Sequence, residues 1–270
     1  MLGEIGDYVP VIIWSKPNTA SNEICLYLIK EYGFSEKPDG SYRLGELMIH
    51  PTHKNVLDFE PPSQEIDFII VPSTHRSVKN VRCFTVHTPG NWSSADMGGQ
   101  PRTLNVAYPT LMYTLLKNIS KRSNDYCEDM IVSYEVDHHG PTLGLPITFV
   151  EIGSTEKEWK NPEYVSVIGD SIMSSLDEIK EIELQPYMGI GGGHYAPRFT
   201  ALSFKEGLAF GHILPKYRSD AFNSEMIRQG IEKNVEGDAR VVIDWKGLNS
   251  ELRDKAIKVL DEIGVDWLRK

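Results

Sequence analysis

Cysteine is scarce: the 270 residues hold three, Cys25, Cys83 and Cys127, with no C-x-x-C pair. That pattern excludes a disulfide framework and a thiolate metal centre. Any metal must therefore be held by His, Asp and Glu. No apolar run approaches the ~20 residues that span a bilayer. The opening residues Met1 to Asp7 lack a basic stretch followed by an apolar one, so they do not read as a signal peptide. The default compartment is the cytosol. Internal repeats, low-complexity tracts, heptad seams and Pro/Gly/Ser linkers are all missing. So are a G-x-S-x-G elbow, an H-E-x-x-H helix and a Gly-Lys-Ser/Thr loop, which leaves a Ser-His-Asp hydrolase and a P-loop enzyme without support.

What the chain does contain is an ordinary globular composition, 40 % hydrophobic and 24 % charged, enough for a sizeable core. Net charge is −10, which taken alone argues against a nucleic-acid partner. Its distribution argues the other way. Between Phe68 and Asn124 a single acid, Asp96, faces seven bases: Arg76, Lys79, Arg82, Arg102, Lys117, Lys121 and Arg122. A second basic island holds Arg198, Lys205, Lys216 and Arg218. Charge segregated in this way produces a local positive field on an acidic body if the bases share a face, and nothing if they scatter.

Strand and helix patterns alternate along the chain. Val9–Trp14, Leu44–Ile49, Phe68–Val71 (ended by Pro72), Phe84–His87, Met130–Val136, Ile147–Ile152, Tyr187–Ile190, Leu208–Leu214 and Val241–Trp245 read as strands. Thr19–Tyr32, Asn105–Ser120, Pro162–Ile182, Asp220–Lys233 and Ser250–Ile263 read as helices. This predicts a single three-layer α/β domain over 1–270, with a mixed, mainly parallel sheet, helices on both faces and a loop-rich elaboration at 72–104. Ligands of such folds bind beyond the carboxyl ends of strands.

Four segments at predicted strand ends concentrate chemistry: Asp137-His138-His139-Gly140-Pro141, Glu151-Ile152-Gly153-Ser154, Gly191-Gly192-Gly193-His194 through Arg198, and Gly211-His212. Neighbouring side chains on a strand point to opposite faces, so His138 and His139 reach one site only because Gly140-Pro141 breaks the strand. Glu151 ends an apolar run, where a carboxylate is costly unless paired, hydrated or on a metal. It reads as a metal ligand or general base, or else as a helix cap. Gly191, Gly192 and Gly193 allow close backbone approach, and their amides could hold a phosphate or an oxyanion. His50 and His53 rank lower because Pro51 argues against a shared helical face. His75, among bases, reads as a phosphate contact, and His87 as packing. The chemistry left is water activation by His and Glu, with or without a metal.

The strings Val136 to Thr142, Val150 to Ser154, Gly191 to Phe199 and Gly211 to Tyr217 resemble the D-aminoacyl-tRNA deacylases of the archaeal and plant type. The order and lengths match from about Tyr8 onward. The resemblance implies hydrolysis of the ester between a D-amino acid and the terminal ribose of tRNA. It also implies zinc, and a fold similar to peptidyl-tRNA hydrolase and nucleoside phosphorylases. Its motif residues fall on His138, His139, Glu151, His194 and His212. Arg76, Lys79, Arg82, Lys117, Lys121, Arg122 and Arg198 are then the expected tRNA contacts. No membrane and no obligate protein partner is expected, and the protein is expected to be a monomer. The competing readings are a zinc peptidase, a nucleoside phosphorylase-like enzyme and a non-catalytic tRNA-binding protein.

Overall fold

The structure is a computed structural model that describes residues 9–126 and 130–270; Cys127 and the segment before Val9 lie outside it. In chain order the first elements are β1 (Pro10–Ser15), α1 (Thr19–Tyr32), β2 (Ser35–Glu36), β3 (Tyr42–Leu44), β4 (Leu47–Thr52) and β5 (Phe68–His75). Next come β6 (Cys83–His87), β7 (Gly90–Asn91), β8 (Thr103–Leu104), α2 (Pro109–Tyr126), β9 (Ile131–Tyr134) and β10 (Ile147–Gly153). Then follow α3 (Glu156–Trp159), α4 (Pro162–Glu178), β11 (Pro186–Ile190), α5 (Pro197–Glu206) and β12 (Ala209–Leu214). The chain closes with α6 (Ser224–Glu232), β13 (Arg240–Ile243), α7 (Ser250–Ile263) and β14 (Trp267–Arg269).

These strands form a mixed, mainly parallel α/β architecture, divided between two main sheets. The larger has eight strands in the order β2-β3-β4-β1-β5-β10-β6-β9, and the smaller has four in the order β12-β11-β13-β14. The core of the larger sheet is parallel: β4, β1, β5 and β10 run together, with β6 antiparallel to β10. All pairs in the smaller sheet are parallel. Period-2 alternation explains which face each residue takes. Val150 and Ile152 of β10, with Phe84 and Val86 of β6, join the core made with α1, α2 and α4. Phe149 and Val71 point to the other face, under Val56, Phe59, Leu57 and Leu143 from loops. Glu151, His75 and His87 share the parity of that second face.

Two local readings change. Pro72 does not end β5, which continues to His75. Its ladder with β1 runs to Ile70, and beyond that β10 alone is the paired neighbour, so a proline without an N–H is accommodated. Leu44–Ile49 is not one strand but a hairpin, β3 turning into β4 at Gly45, which has φ +58°. Helix α1 starts and stops where its chemistry dictates. Asn18 accepts from the Ser21 amide and Gly33 closes the helix in the left-handed region.

Candidate active site

Seven ionisable side chains meet on the loop-covered face. β5 delivers His75, β6 His87, β10 Glu151, the segment after β9 Glu135, His138 and His139, and the loop after β11 His194. His139 has φ +51°, which turns its ring to the same side as that of His138. The two rings lie 4.4 Å apart. His138 also packs against His194 at 4.7 Å and His87 at 4.5 Å between ring centres. Glu151, His75, His138, His139 and His194 line a cleft of about 470 Å³ with the start of α1, Ser73, Thr74 and Arg76.

Hydrogen bonds fix which ring nitrogens are free. His138 Nδ1 lies 2.8 Å from the Val136 carbonyl and His139 Nδ1 2.5 Å from the Gly140 carbonyl. A carbonyl only accepts, so both Nδ1 atoms carry the proton and both Nε2 atoms bear lone pairs. His138 Nε2 faces Glu135 Oε2 at 3.4 Å, and His139 Nε2 faces His87 Nε2 at 3.1 Å. Glu135 Oε2 is also 3.1 Å from His194 Nε2, and its Oε1 is 2.9 Å from His75 Nδ1. Neither Glu135 oxygen, nor His87 Nδ1, is aligned with a hydrogen-bond partner. The His138 Nε2 lone pair and Glu135 Oε2 thus face one another without a shared proton, which is unfavourable. A cation among them would relieve that, so the donor set fits a metal held by nitrogen and oxygen.

The electrostatics separate the two carboxylates. Burial alone would raise Glu135, but the His194 and His75 rings beside it hold its carboxyl well below the usual range. Burial raises Glu151, and the Glu135 charge adds to that, with His75 opposing. Burial alone would depress His75. Its pairing with the Glu135 and Glu151 carboxylates overcomes that and holds the ring at about 12, so it stays an imidazolium. Its other nitrogen meets the Tyr195 hydroxyl at 3.0 Å. His139 falls to about 3, first through burial and then through the neighbouring His138 charge. His87 and His138 are lowered for the same first reason. The neutral rings are the ones whose lone pairs point inward.

His138, His139, Glu151 and His194 are thus brought together as expected, and His212 is not. It is fully buried in β12, with Nδ1 2.6 Å from Asp137 Oδ2 and Nε2 2.9 Å from the Lys233 carbonyl. Both ring nitrogens are spent, so His212 has no lone pair to offer a metal. Gly191, Gly192 and Gly193 do not line the cleft either. The Gly191 amide is taken by the Leu214 carbonyl. With φ +123°, a Cβ there would sit 3.1 Å from Asp244 Cβ. The glycines let the loop pass β13 closely and turn His194 inward; they do not form an anion cradle on the cleft.

Sequence reading missed Glu135 and misassigned His75 and His87. The signal for Glu135 was present: it lies inside the apolar stretch read as a strand over Met130–Val136, the same cue that singled out Glu151. His75 and His87 gave no such cue, because a histidine at a strand end is as often packing.

The basic residues divide. Arg76 lines the cleft, with its guanidinium 4.9 Å from the Trp159 ring centre. Lys79 is exposed in the same turn, and Arg198 is exposed at the start of α5, four residues after His194. Arg82 is held by the Tyr164 hydroxyl and Glu158. Lys117 pairs with Glu178, and Arg122 bonds Ser174 and the Asp170 carbonyl. Helix α2, which carries Lys117, Lys121 and Arg122, packs on α4 over the helical face of the sheet, opposite the cluster. The expected single basic face beside the site is therefore not formed.

The site defines the class: an α/β protein with histidines and carboxylates gathered in a cleft at its strand ends, in which no described serine or cysteine is paired with a histidine. Comparison with known proteins narrows the class. A family model for D-aminoacyl-tRNA deacylase matches residues 62–268. A protein named D-aminoacyl-tRNA deacylase from Thermococcus onnurineus (strain NA1) is 33 % identical over 96 % of this chain and 99 % of its own length. One of the same name from Ignicoccus hospitalis is 38 % identical over 75 % of this chain and 80 % of its own length. A crystal structure described as a conserved protein of unknown function superposes with a TM-score of 0.86 at 28 % identity, covering 97 % of this chain and 95 % of that one. The chain belongs to the D-aminoacyl-tRNA deacylase family. Among the described residues, no helix is long and apolar enough to cross a membrane.

Proposed function

We propose that this protein hydrolyses the ester joining a D-amino acid to the terminal ribose of tRNA, in the cytoplasm, using water activated at the His/Glu cluster with zinc. The observation that carries the reading is the pinning of His138 and His139. Both Nδ1–H groups are spent on backbone carbonyls, which leaves two inward lone pairs beside a buried carboxylate. Histidine ligands are commonly oriented in this way by the hydrogen bond of the other ring nitrogen. The residues that would hold the metal are those whose donor atoms converge, His138 and His139 with His87, and beside them Glu135 with His194. When bound, zinc would lower the pKa of a water and polarise the acyl carbonyl.

The remaining steps belong to the chain. Glu151 lines the cleft, and burial raises its pKa, which favours its taking up and returning a proton. Its separation from strongly ionised Glu135 marks an acid/base division of labour. Water adds to the aminoacyl carbonyl as Glu151 takes one of its protons. The carbon–oxygen bond to the ribose then breaks, and Glu151 returns the proton to the leaving ribose oxygen. The products are a free D-amino acid and tRNA with its terminal hydroxyl restored. His75, held cationic between the two carboxylates, keeps Glu151 oriented. Arg76, Lys79 and Arg198 are the bases placed to meet the phosphates of the tRNA end.

The test is release of amino acid from matched D- and L-aminoacyl-tRNA, with and without chelator, together with metal analysis of protein purified without added zinc. Hydrolysis of the D form, lost on chelation and restored by zinc, is the expected result. A peptidase or phosphorylase would leave the ester intact, and a tRNA-binding protein would retain tRNA without turnover. Full activity in metal-free protein would remove zinc from the account and leave the hydrolase reading standing.

A further inference from the structure

The cleft is not the whole of the hollow around the histidine pair. A second cavity, of about 140 Å³, lies on the other side of His138 and His139 and is bordered by Asn91, Asp96, Tyr217 and Arg218. Met97 and the two histidines line both spaces. The partition is a built feature. The loop carrying Asp96 and Met97 passes so close to Gly140 that a Cβ there would sit 2.4 Å from the Gly99 nitrogen. The Gly140 amide donates to the Met97 carbonyl at 3.1 Å. Asn91 Nδ2 holds the same loop through the Gly98 and Gln100 carbonyls, at 2.9 and 3.1 Å.

The two spaces differ in size and in the charged groups they offer. The larger carries the Arg76 guanidinium and the first residues of α1, and its one carboxylate, Glu151, is buried. The smaller carries an exposed carboxylate, Asp96, whose Oδ2 accepts from Ser94 Oγ at 2.8 Å. Asp137 borders it too, but both its oxygens are committed, to His212 and the Ile213 amide. Arg218 sits there with its guanidinium 6.0 Å from the Tyr217 ring centre. An aminoacyl ester of tRNA is bipartite in the same sense. One end is a nucleoside with a phosphate, large and anionic; the other is an amino acid, small, with an α-ammonium group.

We infer that the smaller cavity is the aminoacyl subsite, with Asp96 meeting the α-ammonium and Tyr217 and Met97 bounding the side chain, while the larger cleft takes the terminal nucleoside. This rests on the hydrolase reading above and adds the direction in which the substrate lies. The ester carbonyl then falls at the shared wall, beside His138 and His139. The space is much smaller than the cleft, 140 against 470 Å³, so bulky side chains press on Met97 and Tyr217. The aminoacyl end is thereby read by the 217–218 turn and the 91–99 loop, of which Met97 alone also borders the larger cleft.

The experiment uses the full chain with D-tyrosyl-tRNA, D-alanyl-tRNA and N-acetyl-D-tyrosyl-tRNA. Asp96→Asn should lower kcat/KM on D-tyrosyl-tRNA by roughly three- to five-fold, the size of a partly exposed ion pair. It should leave the acetylated substrate, which has no ammonium charge, unchanged. Tyr217→Ala should shift the tyrosyl-to-alanyl ratio of kcat/KM several-fold toward tyrosyl. Arg76→Ala should lower both rates and leave that ratio alone. Equal losses on free and acetylated substrates, no change in Asp96→Asn, or a ratio that moves with Arg76→Ala instead of Tyr217→Ala would each overturn the assignment. Absence of any D-aminoacyl-tRNA hydrolysis by the unmodified protein would instead refute the hydrolase reading.

Discussion

Two buried assemblies of histidine and carboxylate begin at adjacent residues of this chain and do opposite things. At Asp137 every carboxylate oxygen and ring nitrogen has a partner: Oδ2 meets His212 Nδ1, Oδ1 takes the Ile213 amide, and His212 Nε2 meets the Lys233 carbonyl. One residue on, His138 opens a cluster in which both Glu135 oxygens and His87 Nδ1 lack an aligned partner. The residue types are the same in both. The difference is unspent bonding capacity, and that is what marks a site able to take up a metal, a proton or a substrate.

The comparison is broken most forcefully from the cluster side. His138→Gln and His139→Gln should each lower kcat on D-aminoacyl-tRNA by about 10²–10⁴-fold, the range of a missing catalytic group, with circular dichroism unchanged. Loss of fold in place of loss of rate would make the cluster structural. From the other side, His212→Ala leaves Asp137 buried without its partner. It should cost about 3–5 kcal/mol of stability, read by denaturant unfolding, while activity per folded molecule is retained. A His212 variant with native stability and no activity would reverse the roles assigned to the two assemblies.

A milder test concerns the basic residues. Replacing Lys117, Lys121 and Arg122 together by Ala should leave kcat/KM on aminoacyl-tRNA and its salt dependence nearly unchanged, since α2 lies across the sheet from the cleft. Arg76→Ala with Lys79→Ala should flatten the log–log salt slope of binding, by roughly 0.7–0.9 for each phosphate no longer neutralised. A flattened slope in the α2 variant would place tRNA on the helical face. The smallest effect is expected at Glu236, a carboxylate outside both assemblies whose pKa is raised by burial. A folded pKa above the unfolded one means stability is fully present at low pH and lost as pH rises through the folded value. Glu236 Oε2 also lacks a partner. Glu236→Gln should therefore stabilise by about 1 kcal/mol at pH 7 and confer no gain near pH 4. An equal shift in Tm at both values would deny the charge penalty.

Much of this was written plainly in the sequence. The limits of α1 and α7 follow from Asn18, Gly33, Asn249 and Gly264, because caps act locally. The gathering of His138, His139, Glu151 and His194 followed from strand-end logic. Three things were not legible. The division into two sheets depends on long-range pairing that alternation does not encode. The exclusion of His212 depends on two partners, Asp137 and Lys233, that are distant in sequence. The scattering of the bases arises because Lys117 and Arg122 find partners on α4, and charge counting is blind to faces. His75 and Glu135 fell between these cases, since Glu135 reads as part of a strand and His75 as a phosphate contact beyond one until their neighbours in space are known.

The central claim is that unsatisfied buried atoms carry the chemistry, and Glu135 tests it most directly because it lies behind the rings and lines neither the cleft nor the smaller cavity. Glu135→Gln keeps the shape and removes the charge. D-aminoacyl-tRNA hydrolysis should fall by at least about 10²-fold, bound zinc should fall with it, and thermal stability should fall as well, because the pair with the His75 imidazolium is broken. Hydrolysis within a few-fold of the unmodified protein, with zinc content intact, would contradict the account.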